Sequence, residues 1–335
     1  MVQKTTAKGN LAATFMHEMS SNTIDGLIDK GGSMHRRSIF GSLLLLLIVP
    51  IALASGGERR FEKKFSVSAG GTLRVTTDVG SVRIEGTSAN EISVVAQLKG
   101  RDRDVNDFDI TAEQTAGGVD VKGKARGKRG WFWNSMELDA QFVIQVPREY
   151  NLEVHTSGGD IDINSLKGTV RGETSGGNIT VGSVDGRVAM ETSGGNIRVD
   201  KVNGDTKMET SGGNIEIGAV KGDVDINTSG GDIHLNDVDG RVRAETSGGS
   251  IHVKVSGANR GVYAETSGGD IEVMVGKNVG ADIDAETSGG DVVCDLPVTV
   301  SGRINESSIR GKVNGGGNKI YAHTSGGDVR IRATP

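Results

Sequence analysis

Carboxylates recur along this 335-residue chain, at Glu173, Glu191 and Glu209 with a step of 18 and then at Glu245, Glu265 and Glu286 after steps of 36, 20 and 21. Two carboxylates facing one glycosidic bond can act as acid and base, or as acid and nucleophile, but only if their surroundings differ enough to separate their proton affinities. Here the carboxylates stand in one register of a repeat, which equalises their surroundings, so no catalytic residue is assigned. The alternative of a polysaccharide-degrading β-helix enzyme needs a singular constellation that the sequence does not contain. His234 and His252, eighteen positions apart, supply two imidazoles where a metal site needs at least a third ligand. They read as solvated surface residues, and no metal or other cofactor is expected.

Cys294 is the sole cysteine, which excludes an intramolecular disulfide. Its register places it at an inward position, as a small buried apolar residue. Lys122, Lys124, Arg126, Lys128 and Arg129 precede Trp131 and Trp133, the only two tryptophans. A basic run beside exposed indoles suits a membrane surface, a glycan or a protein groove. Trp131, Trp133, Lys128 and Arg129 are therefore the candidate binding residues, the competing reading being that the indoles plug an open end of the fold. The net charge of -5 gives no basis for nucleic-acid binding.

These residues are positioned by a repeat. Thr-Ser-Gly-Gly begins at Thr156, Thr174, Thr192, Thr210, Thr228 and Thr246, each 18 residues after the last, and recurs at Thr266, Thr287 and Thr324. A fixed period of this size signals a solenoid, in which each unit buries its apolar face against its neighbours. Counting from Thr, apolar residues fall at positions 6, 8, 11 and 15, as in Ile179, Val181, Val184 and Val188. Met190, Met208, Ile226 and Ala244 occupy position 17, and Thr206 breaks the rule at position 15. Spacings of two belong to strands. The expected fold is an all-β parallel β-solenoid with coils of about 18 residues, two short strands and two turns per coil, stacked at roughly 4.8 Å.

The glycines mark the turns. Gly158-Gly159, Gly176-Gly177, Gly194-Gly195, Gly212-Gly213 and Gly230-Gly231 are expected to supply positive φ at the first corner. The Asn or Asp that follows (Asp160, Asn178, Asn196, Asn214, Asp232) is expected to tolerate the left-handed region and to bond its own backbone. Gly168, Gly186, Gly204, Gly222 and Gly240 make the second corner. No proline lies between Pro147 and Pro297, as continuous N–H donation from coil to coil requires. Thr, Ser, Asn/Asp and Glu should then run as columns along the rod. The Glu column repels itself by about 1 kcal/mol per neighbour unless it is solvated or balanced by Arg171, Lys207 and Arg243 at position 16.

Residues 151–335 thus form the repeat solenoid, and 55–150 an N-terminal β region read as wider coils or a small β-sandwich that caps it. Its strand signals are Leu73 to Gly86, Glu91 to Leu98 and Phe142 to Val146. Residues 34–54 have the basic start, apolar middle and small-residue end of a secretory signal, with cleavage expected after Ala54. An uncleaved N-terminal anchor is the alternative, although the run Ile39 to Ala54 is short of the ~20 residues that span a bilayer. Residues 1–33 lack apolar periodicity and read as an upstream extension.

From Pro147 to Ile163 the chain reads Pro-Arg-Glu-Tyr-Asn-Leu-Glu-Val-His-Thr-Ser-Gly-Gly-Asp-Ile-Asp-Ile. This stretch and the units after it resemble the bacterial DUF4097 family, described as adhesins with β-strand repeats. The resemblance implies an exported β-repeat protein and carries no catalytic residues, since its shared word is a structural turn. The expected function is a non-enzymatic envelope or surface protein that binds an unknown protein, glycan or membrane surface through its ladder faces. A self-assembling scaffold is the further alternative. Arg330, Arg332 and Pro335 read as blockers of the last sheet edge, which implies a monomer or small oligomer.

Overall fold

The computed structural model describes residues 57–126, 137–300 and 305–334. The expected extension 1–33, the signal segment 34–54 and the loop holding Lys128, Arg129, Trp131 and Trp133 lie outside the described residues.

Each 18-residue unit folds as its spacing predicts. In one coil Val170–Thr174 forms a strand of one sheet, a bend follows, and Ile179–Asp185 forms a strand of the opposite sheet. After Gly186 the chain returns as Val188–Thr192, paired in parallel with Val170–Thr174. Alternation sends one set of side chains inward along every strand. Ile179 therefore sits over Ile161 and under Ile197, and the column continues through Ile215, Ile233, Ile251 and Ile271. All of these are buried, and each contributes roughly 1.5–3 kcal/mol of burial. Thr206 is also buried, and its hydroxyl donates to the carbonyl of Gly204 at 3.3 Å.

The strands described form two sheets of fourteen, and each sheet runs the full stack. The N-terminal region belongs to the same two sheets. Thr72–Thr77 pairs in parallel with Asn151–Thr156, and Ser81–Thr87 with Ile161–Asn164, so both walls continue into it without a separate sandwich.

The ends depart from chain order. Val329–Ala333 lies between Ile271–Val275 and Val292–Cys294, and Lys319–Thr324 lies between Val262–Thr266 and Ala281–Thr287. The last coil in sequence is therefore inserted one place inside the stack. Arg330 and Arg332 consequently occupy a strand paired on both sides and block no edge; Pro335 lies outside the described residues. Cys294 stands over Ile331 on the terminal strand of its sheet, half-buried against the core, and burial pushes its thiol up. The opposite end is mirrored: Thr72–Thr77 is held between Asn151–Thr156 and Gly118–Ala125.

Edge protection is supplied by other residues. At one end the edge strand is the three-residue Val292–Cys294. At the other it is Glu58–Ser66, with charges at Glu58, Arg59, Arg60, Glu62, Lys63 and Lys64. Arg59 and Lys63 reach across to the second sheet's edge strand Phe108–Thr115 and donate to the carbonyls of Phe108 and Ala112, Lys63 at 2.7 Å. Charged side chains over open carbonyls deny that edge to another strand.

The paired glycines are needed for a different reason from the one expected. None of Gly158, Gly159, Gly176, Gly177, Gly194, Gly195, Gly212, Gly213, Gly230 or Gly231 adopts positive φ. Instead, a Cβ on the second glycine of each pair would strike the coil below: that of Gly213 would lie 2.0 Å from the carbonyl oxygen of Gly195. The first glycine has room, the nearest atom to a Cβ on Gly212 lying 3.6 Å away. Positive φ belongs to the second corner, at Gly168, Gly186, Gly204 and Gly222. Gly213→Ala should therefore lower stability by roughly 2–3 kcal/mol or more through forced separation of two coils. Gly212→Ala should stay within about 0.5 kcal/mol of the parent. Thermal melts of the two variants check this, and equal melting points would contradict the close-approach account.

Candidate binding surface

The corner that carries the repeated word is occupied by its own hydrogen bonds. Each Thr is buried, and from Thr174 onward its Oγ1 donates to the second-glycine carbonyl of the coil below, as Thr192 does to Gly177 at 2.9 Å and Thr210 to Gly195 at 3.0 Å. The same oxygen accepts the N–H of its own second glycine, Gly195 to Thr192 and Gly213 to Thr210, both at 3.3 Å. The Asn/Asp residues do not bond their own backbone, nor do they adopt positive φ. Each Oδ1 accepts the N–H one coil on: Asp160 from Asn178, Asn178 from Asn196, and Asn196 from Asn214 at 2.8–3.0 Å. A shared register puts the next coil's N–H nearer than the residue's own turn.

On the outer face of the first sheet most charges are paired between coils. Arg83 meets Asp162 at 2.8 Å, Arg198 meets Glu216 at 2.6 Å, and Arg332 meets Glu272 at 2.9 Å. His234 and His252 are neighbours with ring centroids 6.0 Å apart, and His252 Nδ1 lies 2.9 Å from Glu272. Among the described residues no three His, Cys, Asp or Glu side chains are arranged to hold a metal ion.

On the second sheet Glu173, Glu191 and Glu209 stack in register, Asn227 interrupts them, and Glu245 and Glu265 resume. Lys207 balances Glu209 at 3.0 Å and Arg243 balances Glu245 at 2.6 Å. Among the described residues Arg171 takes no carboxylate. In the position-16 column Ala189 stands between Arg171 and Lys207, and the short side chain leaves a groove of about 420 Å³. This notch is visible in the sequence once units are aligned on position 16.

A second departure from the repeat has no such signal. Tyr263 and Tyr321 are stacked at 4.6 Å, with Arg243 over the far face of Tyr263 and His323 against Tyr321 at 3.8 Å. The two tyrosines are 58 residues apart and touch only because the last coil is inserted. Both aromatic faces of the pair are occupied, so the stack joins coils and offers no platform for a sugar or base. Tyr263 also donates to Glu265, which pushes its phenol well above the usual value.

Beside the stack, Asp284 is met by Lys319 at 2.7 Å, Arg310 at 3.1 Å and His323 at 3.3 Å. Burial alone would raise its pKa, but the hydrogen bonds from these three groups hold it down at about 2. A carboxyl so held is neither a proton donor nor an available base near neutrality. It does bind the inserted coil to its neighbour.

A family profile described as Toastrack DUF4097 matches residues 71–332. Among solved structures, a proposed adhesin from Parabacteroides distasonis is similar at 14% identity and a TM-score of 0.38, over 82% of this chain and 97% of that one. A proposed adhesin from Bacteroides fragilis is similar at 13% identity and 0.36, and a proposed lipid-binding protein from Parabacteroides distasonis at 10% and 0.35, each over the same shares. No curated protein matches the chain.

Asp284 sets a pH dependence. Its folded value lies below the ordinary 3.8, so its stabilisation is complete above that value and is lost as pH falls toward 2. Asp284→Asn should cost on the order of 1–2 kcal/mol at neutral pH and flatten the acid limb of stability between about pH 4 and 2. Denaturant titrations across that range measure it, and parallel parent and variant curves would refute the role.

Proposed function

This chain belongs to the Toastrack DUF4097 family, and on that premise we propose that it is a non-enzymatic protein of the bacterial cell envelope whose outer ladder faces bind a partner. The observation that carries the proposal is the uniformity of the polar surface. Outward carboxylates repeat in register, and among the described residues the two whose proton affinities are displaced, Asp284 and Glu149, are both held in the ionised form by neighbouring cations. An acid–base pair needs two carboxyls driven in opposite directions; this surface is built for repeated contact.

Export is supported by the basic start and apolar run of residues 34–54. Attachment to a membrane, glycan or protein surface is assigned to the segment with Lys128, Arg129, Trp131 and Trp133, whose flanking residues Arg126 and Glu137 adjoin the strands Gly118–Ala125 and Leu138–Pro147. The short and charged edge strands support a monomer or small oligomer over a filament.

Fractionation of expressing cells should recover the protein with the envelope or the medium, and Trp131→Ala with Trp133→Ala should release an attached fraction into solution. Retention of the parent chain in the cytoplasm would overturn the export reading. Turnover of a glycan that disappears with a single carboxylate substitution would overturn the non-enzymatic one.

A further inference from the structure

We propose that the groove over Ala189 on the second sheet binds a strand of anionic polysaccharide lying along the stack of coils. Its ligand class deepens the envelope-binding reading above and rests on it for where such a polymer is met. The groove is bordered by five cations, Arg171, Arg187, Lys207, Arg241 and Arg243, and by three carboxylates, Asp205, Asp223 and Asp225. The carboxylates are committed. Asp205 pairs with Arg187 at 3.0 Å and accepts the N–H of Asp223 at 3.2 Å. Asp223 accepts the N–H of Arg241 at 3.0 Å, and Asp225 lies 3.9 Å from Arg243.

Arg171 and Arg241, by contrast, have exposed guanidinium groups with no hydrogen bond or ion pair among the described residues. The hollow on the opposite sheet shows the difference. It is larger, about 620 Å³, but its Arg83 and Arg198 are each bound to a carboxylate.

The spacing selects the shape of the ligand. Arg171 and Arg241 belong to coils four steps apart, roughly 19 Å at ~4.8 Å per step. One phosphate or sulfate cannot reach both; an extended polymer can. Its acid groups would take the free guanidinium groups in charge-assisted hydrogen bonds. Its hydroxyls would donate to the remaining lone pairs of Asp205, Asp223 and Asp225, which a polymer without hydroxyls cannot use. No aromatic side chain lines the groove, which removes the stacking that single-stranded nucleic acid requires. The Glu column runs on the far side of position 16, with Glu209 and Glu245 neutralised by Lys207 and Arg243.

The test is a binding titration of the purified full chain with polygalacturonate, neutral dextran and polyglutamate. Polygalacturonate should bind, weakening as salt rises from about 0.05 to 0.2 M. Arg171→Ala with Arg241→Ala should weaken it about tenfold and reduce the salt dependence. Ala189→Glu, which fills the notch and quenches Arg171, should weaken it as much. Arg83→Ala with Arg198→Ala on the other sheet should leave it unchanged. Absence of binding, equal binding of dextran, equal binding of polyglutamate, or a double variant that binds like the parent would each overturn the proposal. These outcomes separate from those of fractionation. A chain in the envelope that binds no polygalacturonate sinks only the ligand, and a cytoplasmic chain that binds it through Arg171 and Arg241 sinks only the envelope reading.

Discussion

One contact recurs from coil to coil from Thr174 onward: a buried threonine hydroxyl that donates to a glycine carbonyl below and accepts a glycine N–H of its own bend. Because one oxygen serves two backbones, successive bends must superpose closely. That superposition leaves no space for a Cβ at the second glycine. It also brings each Asn or Asp Oδ1 within reach of the following coil's N–H and aligns the isoleucine column that dries the interior. A hydroxyl left without both partners inside the wall would carry the full cost of an unsatisfied polar group, so the bend geometry and the core hold each other in place.

Much of this follows from spacing alone. The 18-residue step places Ile179, Ile197 and Ile215 in one column, and alternation assigns Met190 and Met208 inward and Glu191 and Glu209 outward. The glycine pairs were legible as corners, but not as points of close approach, since a sequence displays turns and hides the backbone stacked beneath them. Stacking order was not legible either. Every coil offers the same edge, so the repeat permits several arrangements, and only the differing side chains at Tyr263, Tyr321, Asp284 and Arg310 distinguish them. The notch at Ala189 could be read from an alignment of units. The pairing of Asp205 with Arg187, and the lack of any such pair for Arg171 and Arg241 among the described residues, depend on side-chain reach across the coils and leave no mark in the spacing.

Repetition also shapes how this surface can act. A column of like residues produces a field that is smooth along the stack and gives a ligand no reason to stop at one place. Specificity has to enter where the pattern is broken, by a short side chain among long ones or by a pair of residues that adjacent coils do not share. Both kinds of break occur on the second sheet: a hollow over Ala189 bordered by charged side chains, and an aromatic seam whose faces are already filled. The first sheet, with Arg83, Arg198 and Arg332 each neutralised by a neighbouring coil, is the quieter side of the molecule.

The placement of Lys319–Thr324 and Val329–Ala333 inside the stack bears on how the protein is made. During synthesis the stretch Ala281–Cys294 emerges before the strands that will separate it from Val262–Val275, so the array cannot grow simply by adding each turn to the last. Either a slot must be held open or a provisional pairing must be undone, and closing it joins segments about 58 residues apart, a slow step relative to local winding. Each sheet thus has its flanking strands joined through the inserted one, Val262–Thr266 to Ala281–Thr287 through Lys319–Thr324 and Ile271–Val275 to Val292–Cys294 through Val329–Ala333, so the inserted coil closes the stack and does not merely lengthen it.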